Sequence, residues 1–196
     1  MRFIVSGLPR SGTSVMMRAL RAGAIPLFYD PDLERRFRLA FPAANREGFF
    51  ELRGEHMIRQ GIPDGHAAKV FPKFIDWLPL NVSYKVLVMH RDDAAREASY
   101  RRVFAGIPDA AFSNRQQEFR RNLEAGLAYM DAQADFSLRH VRLEELVADT
   151  EIVLRQVSAF LDCPQFDIAG AATVFHGDRA ASRGPHGERS GEPGER

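Results

Sequence analysis

The residues readiest to do chemistry in this 196-residue chain lie near its start, in Gly7-Leu8-Pro9-Arg10-Ser11-Gly12-Thr13-Ser14. Glycines at 7 and 12 let backbone N–H groups converge, while three hydroxyls and the Arg10 guanidinium add further donors. Set between a strand and a helix, such a loop cradles an anion at the positive end of the helix dipole. Its Gly-x-x-x-x-Gly frame is that of the nucleotide-binding P-loop. Two positions depart from the triphosphate version. Thr13 stands where a Lys would follow the second glycine, and the cation, Arg10, comes earlier, inside the loop. His90 and Arg91, not an Asp, follow the apolar run at 86–89, where a magnesium-holding carboxylate is expected. The plain alternative is a tight strand-to-helix turn, because Gly and Ser are common in turns. An Arg held between Pro and Ser favours the anion loop.

A second cluster is Val86-Leu87-Val88-Met89-His90-Arg91-Asp92-Asp93, with Ser99 eight residues after Arg91. Taken alone, it reads as a surface Arg paired with Asp92 or Asp93 and a Ser on a helix face. Taken with the loop, it resembles the sulfotransferases, whose first loop holds the 5'-phosphosulfate of 3'-phosphoadenosine 5'-phosphosulfate (PAPS). In that family an Arg and a Ser after the central strand hold the 3'-phosphate. A third block, Arg142-Leu143-Glu144-Glu145-Leu146-Val147-Ala148-Asp149-Thr150 running on to Phe160-Leu161, is similar to one that precedes the family's final helix. The three blocks occur in the family's order and span most of residues 3–162.

The resemblance implies a donor site made of Gly7, Pro9, Arg10, Ser11, Gly12, Thr13, Ser14, Arg91 and Ser99. It implies PAPS as co-substrate, no metal, and transfer of a sulfuryl group to a hydroxyl or amine of an acceptor the sequence does not specify. Ligands of parallel α/β sheets lie outside the carboxyl ends of the strands. Arg10 and Arg91 each follow a strand and are expected to face one crevice, as two separated anion sites.

In-line transfer builds charge on the bridging and equatorial oxygens, which positioned cations stabilise. Arg10 serves there with Thr13 and Ser14, and Lys69 is a further candidate cation. Ala67-Ala68-Lys69-Val70-Phe71-Pro72 looks like the segment of cytosolic family members in which a catalytic His follows the Lys two residues on. Phe71 occupies that position, so a His base there is excluded. Other branches of the family use a carboxylate about twenty residues after the loop, and burial can raise a carboxyl pKa to suit a general base. Asp30 fits that spacing, with Asp32 and Glu34 close behind; Glu51, in Glu47-Gly48-Phe49-Phe50-Glu51, is the rival. Each also reads as a solvated acid at a helix start, and Asp30-Pro31-Asp32 as an N-cap. Two other functions stay open: a P-loop kinase for a small metabolite, and a sulfotransferase-like binding protein without catalysis, which the Phe71 departure favours.

The elements that must position these residues alternate. Residues 3–6 read as a strand and 11–21 as a helix, with Val15, Met16, Ala19 and Leu20 at helical spacing. Residues 32–40 and 50–60 read as two shorter helices about a turn-rich joint at 41–48, 67–71 as a strand, and 74–78 as a turn of helix. Residues 84–90 form the clearest buried strand. Asp92 or Asp93 caps the helix that follows, a long helix covers 115–134, a strand 138–142 and a last helix 150–161. This predicts an α/β three-layer sandwich with a mostly parallel central sheet, like the P-loop nucleoside-triphosphate hydrolases. Residues 1–176 form the domain. Residues 177–196 carry no Val, Ile, Leu, Met, Phe, Tyr or Trp, and are expected to be a disordered polar tail.

Composition bounds the partners. With Lys+Arg 27 against Asp+Glu 26, the net charge of +1 lacks the basic excess that nucleic acid or an anionic membrane surface requires. The single cysteine, Cys163, cannot form an intrachain disulfide, no Cys/His set has zinc spacing, and no run reaches the length of a membrane span. A cytoplasmic address is the expectation.

Overall fold

A computed structural model describes residues 1–42, 44–45 and 47–181. Five strands form one sheet: β1 (Arg2–Gly7), β2 (Glu51–Leu52), β3 (Ala67–Val70), β4 (Tyr84–His90) and β5 (Phe136–Arg142), in the order β2-β3-β1-β4-β5. Every pair is parallel, with Val5 beside both Lys69 and Leu87 in the middle of the sheet. Apolar residues stand on both faces of each long strand, as burial under two helix layers requires.

The faces follow the two-residue period of the strands. Phe3, Val5, Leu87, Met89 and Val141 point into one core with α1 (Thr13–Ala22), α7 (Thr150–Leu161) and α8 (Ile168–Ala181). Ile4, Ala68, Val70, Val86 and Val88 point into the other, against α3 (Glu55–Gln60), a 3-10 turn (Pro72–Trp77) and α5 (Asp109–Asp131). These side chains are at most a few per cent exposed, and burial of each large aliphatic contributes about 1.5–3 kcal/mol. The outcome is the expected three-layer α/β sandwich.

Two helices sit at the carboxyl end of the sheet and wall the site. Helix α2 (Pro31–Ala40) starts at Asp30, whose side chain accepts from the amides of Asp32 and Leu33, with Pro31 at the first helical position. Helix α4 (Asp93–Val103) starts at Asp92, which accepts from the Ala95 amide. Between β5 and α7 lies the short α6 (Leu143–Ala148).

Several boundaries differ from the sequence reading. Residues 50–60 are not one helix: Glu51 and Leu52 add an edge strand before α3, because their backbones pair with Lys69 and Val70. The long helix begins at Asp109, six residues earlier than expected, and β5 begins at Phe136. Helix α8 was not anticipated. It carries the chain past residue 176 to Ala181, so residues 177–181 are helical; the rest of the expected tail lies outside the described residues. No helix among the described residues is long and apolar enough to cross a membrane.

Candidate active site

The loop at residues 7–14 turns from β1 into α1 as the sequence predicts. Gly7 has φ +145°, and a Cβ there would come within 2.6 Å of the Met89 carbonyl oxygen. Gly12, at φ +98°, lies so close to Leu143 that a Cβ would meet its Cδ1 at 2.9 Å. Both conformations favour glycine, so the sequence of the loop follows from its shape. Arg10 adopts a left-handed backbone at φ 71°, a strained state for a non-glycine residue that aims its side chain across the carboxyl end of the sheet.

There Arg10 bridges two walls. Its Nε donates to Ser99 Oγ on α4 at 3.1 Å and its Nη1 to Asn45 Oδ1 at 3.0 Å. Arg91 donates from Nη1 to the Arg10 carbonyl oxygen at 3.3 Å. Neither guanidinium pairs with a carboxylate among the described residues. Burial pushes the Arg10 pKa down, and the neighbouring charges of Arg91 and Arg102 push it further in the same direction. Two close cations without a counter-ion favour an anionic ligand. Of the residues expected at the second anion site, Arg91 lines both cavities, whereas Ser99 is buried, accepts from Arg10 and lines neither.

On the other side of the loop, Lys69 and Glu51 are direct cross-strand partners. Lys69 Nζ lies 3.2 Å from Glu51 Oε1 and donates to Ser14 Oγ at 3.0 Å. Arg53 pairs with the other Glu51 oxygen. Burial lowers the Lys69 pKa, and Glu51, as charge and as hydrogen-bond acceptor, works against that fall. Ser14 Oγ also donates to the Phe49 carbonyl oxygen at 3.3 Å.

A cavity of about 520 Å³ opens over these groups. Pro9, Arg10, Gly12, Thr13, Ser14 and Arg91 line its cationic end, Glu51 and Lys69 its floor, and Phe37, Phe41, Phe49, Phe71, Phe104 and Phe119 an aromatic wall. The rings pack on one another, with Phe37–Phe49 centroids 5.3 Å apart and Phe41–Phe104 centroids 5.2 Å apart, so the wall is continuous from α2 to α4. A second, more polar cavity of about 460 Å³ lies across Arg91, which lines both. Ser11 faces it, its buried hydroxyl oxygen without a hydrogen-bond partner among the described residues.

Of the two rival carboxylates, Glu51 faces the main cavity. Asp30 caps α2 and does not line it. Glu34, named in the sequence only as an acid near Asp30, is buried and holds the joint: its carboxylate accepts from the amides of Phe49 and Phe50 and pairs with Arg38. Burial raises its pKa, but these bonds outweigh that and leave it below the ordinary value. No local sequence pattern marks Asn45, Phe37, Phe41 or Phe104 as site residues. Aromatic spacing carried no signal separating a cavity wall from core, but the position of Leu143 at the start of the third sequence block was a usable one. That block closes on the site twice, through Leu143 against Gly12 and through Glu144 Oε1, which accepts from the Asp92 amide at 2.9 Å.

No family model and no curated protein matches the sequence. Among solved structures, the sulfotransferase domain from the curacin biosynthetic pathway superposes with a TM-score of 0.54 at 18% identity, covering 90% of this chain and 78% of that one. The fold is similar to the fold of that domain. Two structures of retinol dehydratase, one with androsterone and inactive cofactor PAP and one with retinol and PAP, give TM-scores of 0.47 and 0.48 at 13% and 11% identity. They cover 89% of this chain, which spans 63% of theirs.

The residues present fit a donor with anionic groups. The glycine cradle, the unpartnered Ser11 hydroxyl and the Arg10–Arg91 cluster all offer donors or positive charge without an acidic side chain in the loop. Among the described residues, no group of three His, Cys, Asp or Glu side chains is placed to hold a metal ion.

Proposed function

We propose that the chain transfers a sulfuryl group from PAPS to a hydroxyl or amine of an apolar, aromatic-compatible acceptor. The observation that carries the reading is the pair Arg10 and Arg91, unneutralised by carboxylates among the described residues, on the glycine cradle of a sulfotransferase-like fold. Thr13 and His90 supply neither the Lys nor the magnesium carboxylate a triphosphate kinase would use. In this reading the loop amides, Thr13, Arg10 and Arg91 hold the donor. The acceptor oxygen or nitrogen attacks sulfur in line as the bridging S–O bond breaks. The electron pair leaves on the 5'-phosphate oxygen, whose charge Arg10 stabilises, and Glu51 takes the acceptor's proton.

Lys69 orients Glu51 and Ser14 rather than carrying the proton, because it already donates to both. The aromatic wall supports an apolar acceptor body, positioned by contact area and ring edges. A cytoplasmic location belongs to the same proposal. The test is transfer of radiolabelled sulfate from PAPS to a panel of phenols and apolar alcohols by the wild-type protein and by Arg10→Ala. Labelled product from the wild type, lost with Arg10→Ala while the melting temperature stays within a few degrees, supports the reading. Transfer of the γ-phosphate from magnesium-ATP to the same panel in place of sulfate would overturn it.

A further inference from the structure

Ser14 Oγ is a fully occupied hydroxyl. It accepts from Lys69 Nζ at 3.0 Å and from Asn45 Nδ2 at 3.4 Å, and donates to the Phe49 carbonyl oxygen at 3.3 Å. A hydroxyl has one proton to donate and two lone pairs to accept, so nothing is left over for a ligand. Asn45 meanwhile accepts from Arg10 Nη1 at 3.0 Å through its Oδ1. One amide therefore ties the loop cation to the loop hydroxyl. Through Ser14 and Lys69 the chain of contacts continues to Glu51.

We propose that Asn45 is a positioning residue that sets Arg10 toward the anionic donor while leaving its full positive charge available. The proposal rests on the sulfate-donor reading above. A neutral acceptor is what this place requires. A carboxylate would hold Arg10 as firmly but would cancel the charge that attracts the donor, and would force Ser14 to turn its proton away from Phe49. The backbone supports the choice of residue: Asn45 has φ 47°, a left-handed state that Asn tolerates better than most side chains, and its carbonyl oxygen accepts from the Gly48 amide at 2.8 Å. The side chain thus enters the site from a turn whose own shape selects it.

The test uses Asn45→Gly and Asn45→Asp in the full chain, with 3'-phosphoadenosine 5'-phosphate (PAP) as the calorimetric probe. Glycine removes the amide at no conformational strain, and Asp preserves its shape while adding a charge. We expect about tenfold weaker PAP binding with Asn45→Gly, the loss of one hydrogen bond that orients a charged group. Asn45→Asp should bind weaker still, with the melting temperature of both variants within about 2 °C of wild type. That order separates positioning from a structural role, which would make the isosteric Asp the milder change. Binding by Asn45→Asp as tight as wild type, or tighter than by Asn45→Gly, overturns the proposal, as does wild-type affinity in Asn45→Gly. A wild-type protein that does not bind PAP at all overturns the donor reading itself, a separate result that appears before any variant is compared.

Discussion

The ammonium of Lys69 and the carboxylate of Glu51 meet at 3.2 Å as direct partners across the parallel strands β2 and β3, both almost wholly buried. A buried pair is weak support for stability, but breaking it leaves the buried Glu51 charge with only the part-exposed Arg53 to offset it. Lys69→Met is expected to cost about 3 kcal/mol, since Arg53 then faces Glu51 alone and Ser14 loses a donor. The double variant Lys69→Met/Glu51→Leu should be more stable than Lys69→Met. Urea unfolding of the wild type, both single variants and the double variant measures this; costs that simply add would mean the two charges do not sense each other.

Glu34 makes stability depend on pH at the acid end. Its folded pKa lies below the ordinary 4.5, because the Arg38 and Phe49–Phe50 bonds outweigh burial. The unfolded chain thus takes up the proton first on acidification, and the stabilisation, complete above about 4.5, is lost as pH falls through the lower folded value. Glu34→Gln should cost about 1–3 kcal/mol at pH 7. The difference between wild type and variant should shrink as the pH is lowered below 4; a gap that stays constant from pH 7 to pH 3 would refute the assignment.

Gly7 and Gly65 separate backbone strain from close approach. Both have positive φ, but a Cβ at Gly7 meets the Met89 carbonyl oxygen at 2.6 Å while one at Gly65 meets nothing within 4 Å. Gly65→Ala should cost about 1 kcal/mol, the conformational term alone. Gly7→Ala should cost at least about 2 kcal/mol more, since the loop must move off β4. Thermal unfolding checks the order.

Arg91 should govern recognition of the nucleotide's 3'-phosphate. PAP and AMP differ only in that group, and a charge-assisted contact is worth roughly 1.5–3 kcal/mol, or about ten- to a hundredfold in affinity. Arg91→Ala should remove most of the preference for PAP and leave AMP binding nearly unchanged. Equal weakening of both nucleotides would assign Arg91 instead to support of the Arg10 carbonyl, to which it donates.

Much of this was legible in the chain, for physical reasons. Strands β1 and β4 are continuous apolar runs, and the glycines of the loop at 7–14 mark the strand-to-helix turn that the structure shows there. Strand β2 was hidden because two residues give no periodicity, and its pairing partners lie eighteen residues on. Helix α8 contains Gly170, a poor helix former. The reason for that glycine is tertiary: a Cβ there would come within 2.5 Å of the Ala22 carbonyl oxygen on α1. The N-cap role of Asp30 was legible in Asp30-Pro31-Asp32, but the pairing of Glu51 with Lys69 was not, because only the register of β2 on β3 brings them together. Asn45 lies in a turn-rich joint and meets partners 31 and 35 residues away, so no local pattern marks it.

The central claim is a metal-free site for a nucleotide bearing a 3'-phosphate, and calorimetry on the wild-type protein tests it most directly. PAP, titrated in the presence of a chelator, should bind at a single site and more tightly than ATP titrated with excess magnesium. Magnesium-ATP binding more tightly than PAP would contradict the account and turn the loop at residues 7–14 back into a triphosphate site.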